Sequence, residues 1–279
     1  MSKGTGRLRR RLVEAAAGEL RERTARFGFA RRARRRLRDV VARSGPARWE
    51  ATRDDLAFRY LRGDGIEIGA LNAPLRVPPS ARVRYVDHAT ADELSEIYAE
   101  ELSMHGWPLV PPDVVDDGER LAKFDDGSLD FVIANHMLEH VEDPVGALGH
   151  FLRVLRPGGI VFLTLPDARR NFDNRRPRTT PEHLLRDHRE GPEVSRREHY
   201  EEWARVIEGV PEERVAARAD EFAAERARHH FHVWELDNFL AFVLALELPA
   251  DLEAAIATEE EFAVILRKNL GKRPWTSTG

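Results

Sequence analysis

Three stretches of this 279-residue chain predict an α/β fold with a doubly wound, mostly parallel sheet. In the first, Gly65–Asp87, a short apolar strand (Ile66–Ile68) stops at Gly69 and passes through a small-residue turn, Ala70–Pro74. A second strand, Val83–Val86, then ends in Asp87. In the second stretch, the continuous apolar run Leu129–Ala134 reads as a strand buried on both faces. Asp143-Pro144 next opens a helix, which Arg156–Gly159 turns into another strand, Ile160–Leu165. In the third, Leu248–Ala257 and Glu261–Lys268 read as a C-terminal antiparallel pair. Strands alternating with helices in this way make the sheet Rossmann-like.

Ahead of the sheet, residues 1–48 read as a basic helical arm. Leu8, Leu12, Val13, Ala16 and Leu20 recur at helical spacing, as do Ala33, Leu37, Val40 and Val41. Gly28 separates the two helices, and Ser44-Gly45-Pro46 ends the arm. Residues 49–279 form the main domain, beginning with a helix over 49–62. Ala91–Leu102 is expected to be one amphipathic helix with Leu94, Ile97, Tyr98 and Leu102 on its apolar face. Asp113–Glu119 is a short strand ending in an Asp-Gly turn. Residues 168–228 are a long polar insertion, a cap carrying surface helices at His199–Val206 and Glu212–Arg228, and Asn238–Leu246 is an apolar helix.

Charge divides the chain. Residues 1–43 hold fifteen basic residues against four acids, a balance of +11, so the net charge of −4 leaves −15 on the remainder. An arm of this kind suits an anionic surface, lipid or nucleic acid; it equally suits packing on the acidic body or a dimer contact. The absence of cysteine excludes disulfides, thiolate nucleophiles and Cys-ligated zinc. No apolar run approaches bilayer-spanning length, and the N-terminus lacks the apolar core of a signal peptide. A cytoplasmic protein is expected.

In doubly wound sheets ligands lie at the carboxyl ends of the strands, beside the point where strand order reverses. That rule gathers Gly69, Asp87, Asp117, Asn135 and Asp167 at one cleft. Asp87 follows Gly69 by 18 residues, close to the spacing at which an acid reaches ribose hydroxyls. The usual later glycines are replaced by Leu71 and Ala73.

At these residues the chain resembles a class I S-adenosylmethionine-dependent methyltransferase. The resemblance covers about residues 60–167 and is most specific in SLDFVIANHMLEHVEDPVGALGHFLRVLRPGGIVFLTLPD, from Ser128 to Asp167. It implies S-adenosylmethionine as cofactor, with Glu67 and Gly69 at its methionine end. Asp87 would hold the ribose hydroxyls and Asp117 the adenine amino group, with Asn135 and His136 lining the cleft. The protein then mainly positions nucleophile and methyl group, and a general base is useful only for a hydroxyl or protonated amine. His140 and His232 are the expected bases.

Two metal motifs compete with that reading. His136-Met137-Leu138-Glu139-His140 matches the H-x-x-E-H zinc signature, but it follows a buried strand rather than lying in a helix. Glu139-His140 is similar to the magnesium-binding pair of ubiquinone-type O-methyltransferases, but Asn135 stands where an acidic partner is expected. No metal is expected. In the cap, Arg169, Arg170, Arg175, Arg176 and Arg178 suit an anionic group on the acceptor, or else are balanced by nearby acids. Asp167, Arg169, Arg176 and His230 are the expected substrate contacts. The predicted activity is methyl transfer to an O or N atom of a small-molecule or sugar-containing acceptor. The alternatives are an RNA or protein methyltransferase docked by the arm, and a non-catalytic cofactor-binding scaffold.

Overall fold

The structure, a computed structural model, describes residues 52–271, so the predicted arm at 1–48 lies outside the described residues. Helix α1 (Arg53–Tyr60) starts at Thr52, whose hydroxyl accepts from the Asp55 N–H while the Asp55 carboxylate caps in return. Strands β1 (Gly63–Ile68) and β2 (Ala81–Asp87) follow. The expected single helix at 91–102 is two, α2 (Ala91–Ile97) and α3 (Ala99–His105), divided at Tyr98. Leu94 is buried but Ile97 is 57% exposed, so the apolar stripe read from the sequence is not one continuous face. Strand β3 shrinks to Val114–Val115.

Beyond β3 come β4 (Leu129–Asn135), α4 (Pro144–Val154) and β5 (Leu155–Pro166). As predicted, the Asp143 side chain caps α4, accepting from the Gly146 N–H at 2.9 Å, with Pro144 in the first turn. The Arg156–Gly159 segment does not form a separate turn; it is the irregular start of β5, where the register with β4 shifts.

The insertion contributes α5 (Pro181–Glu190), α6 (Glu193–Val206) and α7 (Glu212–Glu225). The chain then closes with α8 (Leu236–Ala245), β6 (Ala250–Ala257) and β7 (Glu261–Lys268). Helix α5 escaped the sequence reading, although Thr180 at its N-cap and Pro181 in its first turn are the residues that begin helices.

The seven strands run in the order β3-β2-β1-β4-β5-β7-β6. β1 to β5 pair in parallel, and β7 runs antiparallel to both β5 and β6. Strand order reverses between β1 and β4, which places the ligand crevice at their carboxyl ends. β4 shows why its sequence is apolar throughout. Val132 and Ala134 face a core built with α4 and α8, while Phe131 and Ile133 face a second core built with α1. Helices α6 and α7 enclose a small core of their own around Tyr200, Ala204, Val215 and Phe222. This cap is tied to the domain by His188 on Asp143, at 2.8 Å, and by a forked Arg196–Glu142 pair.

Candidate active site

At the end of β1, Gly69 adopts φ +67°, and no atom lies within 4 Å of where a Cβ would stand. The backbone there is open to close approach by a ligand. The turn that follows is held from beneath by Glu67. This carboxylate is 1% exposed and accepts from the Leu75 N–H at 2.9 and 3.1 Å and from the Asn135 amide at 3.1 Å. Burial pushes its pKa up to about 7, while the Leu75 and Asn135 bonds pull the other way. The Asn135 carbonyl accepts from the Thr164 hydroxyl at 2.8 Å. Glu67 and Asn135 thus brace β1, β4 and β5, and their polar atoms are engaged with the protein.

Asp87 and Asp117 stand differently. One Asp87 oxygen takes the His88 N–H and ring nitrogen, each at 2.8 Å, and Oδ2 has no hydrogen bond among the described residues. Asp117 is half exposed, its Oδ1 folding the turn by accepting from the Glu119 N–H. Gly118 seats that turn against β1, since a Cβ there would come within 2.5 Å of Ile68. Gly69, Asp87 and Asp117 therefore line successive strand ends at the crevice. His136 follows β4, with its Nδ1 3.7 Å from Glu139. Its N–H bonds the Thr164 carbonyl on β5 and its Nε2 sits 2.6 Å from Glu261 on β7.

A second cluster lies just past β4. Glu139, His140 and His230 bring one ligand atom each within 4.8 Å of one another. Glu139 is 1% exposed, and neither of its oxygens has a hydrogen-bond partner. His140 Nδ1 faces the carbonyls of Arg228 and His229 at 3.3 and 3.2 Å. Burial, reinforced by the neighbouring His230, lowers the pKa of His140, against the pull of Glu139. His230 Nδ1 bonds Asp173 at 2.6 Å.

Residues 80–163 match the family model described as "Methyltransferase domain". Among solved structures, a S-adenosylmethionine-dependent methyltransferase from Aquifex aeolicus is 11% identical, with TM-score 0.41 over 82% of this chain and 97% of that one. The YcgJ protein from Bacillus subtilis is 14% identical, with TM-score 0.42 over 78% and 97%. A Rhodobacter sphaeroides protein titled as a Zn-dependent alcohol dehydrogenase is 16% identical, with TM-score 0.45 over 83% and 97%. No curated protein matches the chain. Likenesses at this level carry no argument about chemistry; the family match does.

Over residues 80–163 the chain is similar to a methyltransferase domain.

The open backbone at Gly69 and the free Oδ2 of Asp87 fit the S-adenosylmethionine that the resemblance implies. The remaining expected residues are placed as follows. Asp167 is buried and paired in a fork by Arg169. Arg176 is 2% exposed, bonded to Asp173 and Glu202 at 2.7 Å and lying over Trp203. Arg178 pairs with Glu235 at 2.8 Å. Of the two readings of the cap arginines, balance by nearby acids is what the structure gives Arg169, Arg176 and Arg178. His232, expected as a base, is 1% exposed and enclosed by His183, His199 and Trp234 rather than joined to His140.

His230, expected as a substrate contact, joins Glu139 and His140 across 90 residues of chain, and Asp173, which the sequence did not single out, orients it. Neither local spacing nor periodicity carries that signal. A Glu–His–His set fits a divalent ion as well as a proton relay.

Proposed function

We propose that this methyltransferase acts on an O or N atom of a small-molecule acceptor, sugar-containing molecules among them, with His140 as general base. The observation that carries the reading is the convergence of Glu139, His140 and His230 between the end of β4 and the cap. S-adenosylmethionine supplies an electrophilic methyl group on a sulfonium. Gly69, Asp87 and Asp117 would hold it, through backbone approach, ribose hydroxyls and adenine respectively, while Glu67 and Asn135 keep the Gly69 turn in place.

The carbonyls of Arg228 and His229 select the tautomer of His140 with its proton on Nδ1, leaving the Nε2 lone pair for the acceptor. Its lowered pKa keeps that lone pair available at neutral pH. The acceptor proton passes to Nε2, and the buried charge of Glu139 stabilises the imidazolium so formed. His230, steered by Asp173, and Phe172, which is 51% exposed and 4.9 Å from the His230 ring, would bound the acceptor on the cap side. On this reading residues 168–228 are the substrate cap. With Arg169, Arg176 and Arg178 paired to acids, these three leave recognition of the acceptor to shape and neutral hydrogen bonds.

The test is kinetic, on an acceptor found by screening hydroxyl- and amine-bearing metabolites. His140→Ala is expected to lower kcat by about 10²–10⁴-fold without loss of cofactor affinity. The acid limb of the wild-type pH–rate profile should fall below about pH 6.5. A variant with wild-type kcat would remove His140 from the reaction.

A further inference from the structure

A second cluster of histidines lies inside the cap, apart from the acid–base group. His183 comes from α5, His199 from α6 and His232 from the segment before α8, and one ligand atom of each lies within 4.8 Å of the others. His183 Nε2 and His199 Nε2 are 3.1 Å apart. Two nitrogens on a tetrahedral zinc ion, each at about 2.0–2.1 Å from it, stand about 3.3 Å apart. The pair is therefore already near ligand spacing.

His232 supplies the independent observation. Its Nε2 faces the Glu142 carbonyl at 3.3 Å, and its Nδ1 is fully buried with no hydrogen-bond partner. An imidazole that donates one N–H to a backbone carbonyl and keeps its other nitrogen buried and unbonded has the outer-shell arrangement of a metal ligand. A buried nitrogen left unbonded costs about 1–3 kcal/mol unless something meets it.

We propose that His183, His199 and His232 bind a divalent transition ion of the zinc type, which staples α5, α6 and the 229–234 segment into one cap. Three imidazoles suit zinc, copper or nickel rather than magnesium or calcium. The Asp187 carboxylate, 1% exposed and 3.1 Å from His183 Nε2, supplies negative charge beside the ion. Of the nearby guanidiniums, Arg176 pairs with Asp173 and Glu202, and Arg186 pairs with Asp187 while also standing 3.4 Å from His183 Nδ1, the ring nitrogen turned away from His199.

The experiment uses the full chain, stripped with a chelator and titrated with Zn²⁺, and separately with Co²⁺ as a spectroscopic probe. Wild type should take one ion, give the intense visible bands of tetrahedral cobalt, and melt at a higher temperature with Zn²⁺ than without. Glu139→Gln should keep all three signatures; His183→Gln and His199→Ala should lose them. His183 is partly exposed and its substitution is the milder one, and the wild-type titration decides by itself if both variants unfold. A wild type that binds neither ion overturns the proposal, as does an ion kept by folded His183→Gln and lost in Glu139→Gln.

Discussion

Glu67 shows how a residue can hold a site without touching the ligand. The glycine-poor turn at Leu71 and Ala73 looked weak in the sequence, yet Leu71 sits at φ +45° and the Leu75 N–H is anchored on a buried carboxylate. That carboxylate replaces with one hydrogen-bonded anchor what extra glycines would supply through conformational freedom. It also leaves a titration signature. A carboxyl raised from 4.5 to about 7 binds more protons in the folded than in the unfolded chain between those values. Its contribution to stability therefore falls as pH rises through that window. Glu67→Gln should remove the fall, so the stability of the variant relative to wild type should rise by on the order of 3 kcal/mol between about pH 5 and pH 8. Urea unfolding at several pH values measures this; a constant offset would contradict it.

At the scale of elements, the strands were legible and the cap was only partly so. β1, β4 and β5 announce themselves by apolar runs that stop at or just before glycine, asparagine or aspartate, because strands buried on both faces need such runs; β2 and β6 are only partly buried. α2 and α3 were misjudged as one helix because exposed helices pack little, so periodicity there does not translate into a face. In the cap, α5 begins with Thr180-Pro181, a signal that was present, whereas the Asp173–Arg176–Glu202 set joins residues far apart and leaves no local trace. That set also separates two roles for Arg176. As a buried partner of Asp173, Arg176→Ala should destabilise the protein by about 3–5 kcal/mol, read as a fall in the denaturant midpoint. A role only in binding an acceptor anion would raise KM and leave the midpoint unchanged.

Over the whole molecule, the sheet order and the reversed β7 bring the ends of β1, β2 and β3 together at the switch point, and the cap brings His230 to His140 from the far side. The convergence of Gly69, Asp87 and Asp117 was readable, since they lie at strand ends whose order the fold class dictates. The meeting of His140 with His230 was not, because it joins the β4 exit to a segment some 90 residues later. Cofactor and acceptor sites thus rest on different parts of the chain, and substitutions in one should leave binding at the other intact. The most direct test of the account is calorimetric titration of S-adenosylmethionine into wild type and Asp87→Ala. The account predicts binding by wild type and, with the hydrogen bonds from the ribose to a charged carboxylate removed, affinity about 10–100-fold weaker in the variant. Equal affinity in the two proteins, or no binding by wild type, would contradict it.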